Sequence, residues 1–249
     1  MPFRYFIRLA FDGTQYHGWQ LQDNANTVQE EITKALSVIL KNRTELLGCG
    51  RTDTGVHASE FFAHFDCETD LGNTEKLTYQ LNSLLPDDIF VFFIKKVKED
   101  LHARFTATRR TYKYFINRHN NPFNKSFEHV IHRDFDLEAM NTACKVLMKY
   151  TDFSCFSKSH TQVNNNNCKI YEAYWVQAGS QIIFTITANR FLRNMVRAIV
   201  GTLLEIGSEK IGLTEFRKII EKGNRSDAGV SVPAKGLFLH KVTYPDGSF

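Results

Sequence analysis

One order of hydrophobic periodicities occurs twice along the chain, and it restricts the fold more than any other feature. Phe3, Tyr5, Ile7, Leu9 and Phe11 alternate with Arg4 and Arg8 on the opposite face. This predicts a half-buried strand, ended by Asp12-Gly13. Thr27-x-x-Glu30 is a capping box. It opens a helix whose apolar stripe is Val28, Ile32, Ala35, Leu36, Ile39 and Leu40. A short strand is expected near 45–49, then a glycine-bounded loop at 50–55, then a strand through Phe61, Ala63, Phe65 and Cys67. Leu77, Leu81, Leu84 and Leu85 mark a second helix, closed before Pro86, and 89–97 reads as a buried strand. The same β-α-β-β-α-β order then recurs. It gives a strand at 111–116, a helix at 137–148 with Asp136 as N-cap, strands at 170–176 and 182–187, helices at 191–206 and 214–221, and a last strand at 237–242. Two such units in tandem are the split βαβ arrangement of ferredoxin-like folds. The fold class is therefore α+β, with two halves at 1–105 and 106–249 and mainly antiparallel sheets. A cleft between two halves is a natural ligand site.

Composition closes several other routes. The 249 residues are 43% hydrophobic and 23% charged, which is globular rather than disordered. No apolar run approaches the ~20 residues of a membrane span. Arg4 and Arg8 interrupt the first apolar stretch, which argues against a secretory signal. Five scattered cysteines without a C-x-x-C fit reduced thiols in a cytoplasmic protein better than disulfides or structural zinc. His57 and His64 lack the spacing of a metal pair, so no metal site is expected. A net charge of +4 is mildly basic and compatible with a nucleic-acid partner. The polar segment 118–127 and the segment 157–168, with its asparagine run 164–167, read as long loops.

Three clusters carry chemistry. The first is Gly50-Arg51-Thr52-Asp53-Thr54-Gly55-Val56-His57-Ala58, where glycines frame a carboxylate on a loop between strands. Asp53 there suits a nucleophile, a base or a plain turn residue. Arg51, two residues away, shares its side in an extended segment and suits either a phosphate or a surface pair. Asp53-Thr54-Gly55 also matches the aspartic-protease triplet, which needs two carboxylates sharing a proton. Arg51-Thr52 stands where that strand is apolar, and the helix-rich pattern opposes an all-β protease. A partial echo, Arg225-Ser226-Asp227-Ala228-Gly229-Val230, follows a short helix. The second cluster is Arg190, Arg193 and Arg197, which spacings of three and four place on one face of the expected 191–206 helix. Arg197 stands where that face turns apolar, a position that calls for an anionic partner. The third runs from His102-Ala103-Arg104-Phe105 to Arg109-Arg110-Thr111-Tyr112-Lys113-Tyr114. Cations that neutralise phosphates alternate there with rings that stack on bases.

Together these pieces resemble the tRNA pseudouridine synthases of the TruA type. The nonapeptide 50–58 differs from that family's usual Gly-Arg-Thr-Asp-Ala-Gly-Val-His-Ala only by Thr54. His102 to Tyr114 is similar to the segment leading to the family's active-site tyrosine, which falls on Tyr112. Asp152-Phe153-Ser154-Cys155-Phe156, the run from Phe191 to Leu204 and Lys235-Gly236-Leu237 match further family segments in order. The resemblance implies isomerisation of uridine to pseudouridine at positions 38, 39 and 40 of the tRNA anticodon stem-loop, by a cytoplasmic homodimer without cofactor or metal. It implies Asp53 as the essential carboxylate, Arg197 as the cation that keeps it ionised, and Tyr112 as the residue stacked on the uracil, with Arg51 beside the substrate. It leaves His102, Arg104, Arg109, Arg110, Lys113 and Lys158 for RNA contacts. A non-catalytic RNA-binding module would need the same cations and rings but not Asp53.

Overall fold

The computed structural model describes residues 2–158 and 165–249. The chain divides into two compact units, 1–108 with 238–249, and 109–237. The C-terminal tail thus leaves the second half, in which the sequence places it. The reason is pairing: His57 and Ala58 align in parallel with Phe238 and Leu239. In addition, Thr108 N–H donates to Thr243 O (2.8 Å), and the Tyr244 hydroxyl donates to Ala103 O (2.6 Å).

In the first unit the elements run β1 (Phe3–Phe11), α1 (Val28–Leu40), β2 (Leu47–Gly48), β3 (His57–Cys67), α2 (Thr74–Asn82) and β4 (Ile89–Val97). β1 lies between β3 and β4, antiparallel to both, and β2 pairs with β3. The row β4-β1-β3-β2 is the ferredoxin-like order expected. Thr27 caps α1 by accepting from Glu30 N–H (3.3 Å), and Val28, Ile32, Ala35 and Leu36 are its buried stripe. β1 differs from a half-buried strand in one respect. Phe6, on the arginine face, is fully buried beneath Tyr244 and Phe249 of the C-terminal tail. β4 differs more. It ends its row, and Phe90 and Phe92 are 53% and 45% exposed, with the Arg8 guanidinium 5.0 Å from the Phe92 ring centre. A run of apolar residues reads as doubly buried, yet an edge strand has one face to spare.

In the second unit β5 (Arg109–Asn117), β8 (Gln181–Ala188) and β7 (Ile170–Ala178) form an antiparallel sheet in that order, and the short β6 (His129–Val130) runs parallel to β5. Tyr114, Ile116, Phe184 and Ile186 are its buried face. α3 (Leu137–Leu147) lies on β7, with Asp136 capping it by accepting from Ala139 N–H (2.9 Å). α4 (Met195–Gly207) and α5 (Leu213–Lys222) follow, and then β9 (Leu237–Thr243). α4 begins four residues later than the sequence suggests. Asn194, just before it, has φ 65°, a left-handed conformation that no helix interior carries. None of the five cysteines is in a disulfide. Burial pushes the thiols of Cys144 and Cys155 up to about 12 and that of Cys168 up to about 11, which keeps them protonated and unreactive.

Candidate active site

The glycine-framed loop joins β2 to β3, and a second loop, at 12–18, builds it from beneath. Cys49 N–H donates to Phe62 O (2.7 Å), which fixes the entry to the loop. Val56 N–H donates to Asp53 O (3.1 Å), which closes a turn with Gly55 at φ +75°. Gly55 N–H reaches Tyr16 O (3.2 Å), and Gly13 N–H donates to His57 Nδ1 (3.0 Å). Asp12 Oδ1 lies 3.0 Å from the same ring nitrogen, and His57 is fully buried against the Phe238 ring at 4.5 Å. Two glycines permit this approach. A Cβ on Gly18, at φ +89°, would stand 2.2 Å from Thr52 O, and one on Gly13 would stand 2.1 Å from Val56 O. The loop is therefore clamped at both sides of Asp53. Exposure alternates along it: Arg51 outward, Thr52 buried, Asp53 half-buried, Thr54 outward. Thr54, the departure from the family motif, is exposed.

In the second unit, Tyr112 and Tyr114 share one face of β5, as the alternation predicts. Tyr112 is half-buried and meets Phe191 edge-on (5.1 Å), whereas Tyr114 is buried and donates to Pro233 O (2.9 Å). Burial raises the Tyr114 phenol, and the nearby Arg197 charge opposes that shift. Arg197 lies on α4, where Nε donates to Val232 O (2.7 Å) and its own carbonyl accepts from Val232 N–H (3.2 Å). These bonds fix the direction of the guanidinium. Arg190 and Arg193 do not share its helix face, because both precede α4 in the non-helical stretch that ends at Asn194. Instead, Arg193 O accepts from Lys158 N–H (3.1 Å), which brings two of the loop cations together. Arg110 Nη1 donates to Asn189 O (2.9 Å), and the Arg109 guanidinium stacks on Tyr171 at 4.5 Å.

A family model described as tRNA pseudouridine synthase matches residues 143–245. A Bacteroides fragilis protein called tRNA pseudouridine synthase A is 53% identical over 99% of this chain and 98% of its own length. The chain belongs to the tRNA pseudouridine synthase family. Members of this family are isomerases that convert uridine to pseudouridine in tRNA. Proteins of the same name from Porphyromonas gingivalis and Clostridium acetobutylicum are 49% and 40% identical, over 99% and 96% of this chain and 99% and 98% of their own lengths. A solved CRISPR endoribonuclease, Cse3 bound to a 19-nt RNA, covers 82% of this chain and 96% of its own at 12% identity and a TM-score of 0.21, which carries no argument.

Within a synthase of this family, the other motifs take local roles. Asp152 Oδ1 accepts from Ser154 N–H and Oγ–H (2.8 and 2.5 Å), and Phe153, Cys155 and Phe156 are fully buried, so this segment anchors the chain just before Lys158. Residues 159–164, with Asn164 of the asparagine run, lie outside the described residues. The rest of the run is bonded: Asn166 Nδ2 donates to Ser154 Oγ (2.9 Å) and Asn166 O accepts from Phe153 N–H. His102 Nδ1 accepts from Arg104 and Phe105 N–H (3.0 and 3.3 Å), so its ring shapes the turn that presents Arg104. Sequence reasoning missed Gly13, Tyr16 and Gly18, which clamp the loop. Their signal was present in Asp12-Gly13-Thr14-x-Tyr16-x-Gly18, a polar glycine pair too close for a plain strand end. Among the described residues, no group of three or more His, Cys, Asp or Glu side chains is placed to hold a metal ion. None of the described helices is long and apolar enough to cross a membrane.

Proposed function

We propose that this synthase isomerises uridine at positions 38, 39 and 40 of the tRNA anticodon stem-loop, with Asp53 as its essential carboxylate. The observation that carries the reading is 53% identity over nearly the full length to a synthase of this family, with the Asp53 loop present in this chain. In the reaction the N1–C1′ bond breaks, the uracil turns, and a C5–C1′ bond forms. The C5 proton leaves and N1 gains one. That balance needs no oxidant, reductant or group donor, so the reaction calls for no cofactor. Asp53 serves at the reacting centre, with Arg197 as its cationic partner. Tyr112 stacks on the uracil, which must leave the helical stack at a cost of a few kcal/mol. Arg51 sits beside the substrate. Arg104, Arg109, Arg110, Lys113 and Lys158 offset that cost through the RNA backbone, and His102 presents Arg104 to it. The enzyme works as a homodimer in the cytoplasm; five cysteines outside any disulfide suit that compartment.

The test is tritium release from C5-tritiated uridine in tRNA transcripts that retain uridine at only one of positions 38, 39 and 40. Release from each is the expected result. Tight tRNA binding with no release from any transcript would leave a non-catalytic RNA-binding module in its place. Sedimentation of the purified chain at twice its 28.7 kDa mass checks the dimer.

A further inference from the structure

Phe105 is 76% exposed, although it sits on one of the most tightly built turns of the first unit. His102 N–H donates to Thr106 Oγ1 (2.9 Å), and Thr106 N–H returns to His102 O (3.0 Å). His102 Nδ1 accepts from both Arg104 and Phe105 N–H. The fully buried Ala103 is pinned from two sides, by His64 Nδ1 accepting its N–H (3.2 Å) and by the Tyr244 hydroxyl on its carbonyl. An exposed aromatic on a loose loop needs no explanation. One held by this many bonds is being presented.

What surrounds the ring says to whom. Phe105 meets the His102 imidazole at a tilt, with ring centres 4.4 Å apart, and His102 in turn meets His64 edge-on at 4.5 Å. Burial and the charges of Arg4 and Arg104 lower the His102 pKa, which favours the uncharged imidazole in this ring cluster. The Arg104 guanidinium lies 5.5 Å from the Phe105 ring centre. The result is an exposed aromatic ring with a cation over it, the pairing of ring and charge by which proteins hold unpaired nucleobases. An anticodon loop is single-stranded, and its bases can be splayed onto such a ring.

We propose that Phe105 is a base-stacking residue, whose outer ring face receives an unpaired nucleobase of the tRNA while Arg104 meets the adjoining phosphate. This rests on tRNA being the substrate. It adds a positioning contact outside the Asp53 loop: the ring holds the RNA and touches no reacting bond.

The experiment compares Phe105→Ala, Phe105→Leu and Phe105→Trp with the unaltered protein, using an anticodon stem-loop transcript. Each variant is first checked for native circular dichroism, which the exposure of the side chain leads one to expect. Phe105→Ala and Phe105→Leu should each raise Kd and KM by roughly tenfold or more with kcat at saturation little changed, since a lost base–aromatic stack acts on binding. Phe105→Trp should restore binding, and its new indole emission should be quenched as RNA is added; the native Trp19 and Trp175 are buried. Wild-type affinity in the alanine variant, recovery by leucine, or unquenched tryptophan emission at saturating RNA would each overturn the proposal. Tritium release is scored separately. A protein that stacks RNA on Phe105 but releases no tritium contradicts the substrate reaction and leaves the stacking role standing.

Discussion

Arg51-Thr52-Asp53-Thr54-Gly55-Val56 and Arg225-Ser226-Asp227-Ala228-Gly229-Val230 share one pattern of arginine, aspartate, glycine and valine, and the chain builds opposite objects from them. In the first, Arg51 points outward, Val56 is buried at the start of β3, and Gly55 turns the chain with a positive φ. The clamps come from elsewhere, from Gly13, Tyr16 and Gly18, and they act on backbone. In the second, the arginine is consumed locally. Arg225 Nη1 donates to the carbonyls of Ala228 and Gly229, and Nη2 donates to Ser231 Oγ (2.8 Å). Asp227 faces Lys222 at 3.6 Å, and Val230 is exposed. Gly229 is needed because its N–H donates to Thr202 Oγ1 (2.9 Å) and a Cβ there would meet the α4 backbone at 2.9 Å. A carboxylate framed by glycine is therefore not a site in itself. It becomes a candidate where distant backbone holds the loop, as Gly13, Tyr16 and Gly18 do here.

The carboxylates should break the comparison most sharply. Asp53→Asn is expected to lower kcat by roughly 10⁴-fold or more, the scale for a group acting at the reacting bonds. Asp227→Asn loses a surface pair worth at most about 1 kcal/mol and no turnover. Arg197→Ala should come next. It should lower kcat by roughly 10²–10³-fold, the scale of a lost electrostatic partner, and change tRNA affinity far less. Equal losses in kcat and affinity, measured by steady-state kinetics and filter binding, would make Arg197 a phosphate contact. Gly18→Ala places a Cβ against Thr52 O and should cost about 1–3 kcal/mol of stability. It should also cost roughly tenfold in kcat, read by denaturant titration and tritium release. Arg225→Ala should be the mildest and the most one-sided. Losing its three bonds should cost about 2 kcal/mol in urea unfolding and leave kcat unchanged.

Much of this was legible from residues alone. The alternation of Phe3 to Phe11, the Thr27 and Asp136 caps and the Leu77–Leu81 stripe each encode a local preference that tertiary contacts did not override. Asp53 stood out because glycines bracketed it. Arg190 and Arg193 were misplaced because helix periodicity continues through Phe191 to Asn194, while Asn194 adopts a left-handed φ that spacing does not reveal. Phe90 and Phe92 read as core because apolar composition does not tell an edge strand from a central one. The clamp of Gly13 and Gly18 on the Asp53 loop was out of reach for a different reason. It depends on which backbone segments pass so close that an added Cβ would stand about 2.2 Å from a carbonyl oxygen, across more than thirty positions of sequence.

The central claim is that Asp53, and not its echo, carries the reaction. The measurement that tests it most directly is single-turnover tritium release from one C5-tritiated tRNA transcript by the unaltered protein, Asp53→Asn and Asp227→Asn, with binding of each measured alongside. Release by the unaltered protein and by Asp227→Asn at the same rate, and none by Asp53→Asn at undiminished binding, is the expected result. Release that survives Asp53→Asn, or that is lost with Asp227→Asn, would contradict it.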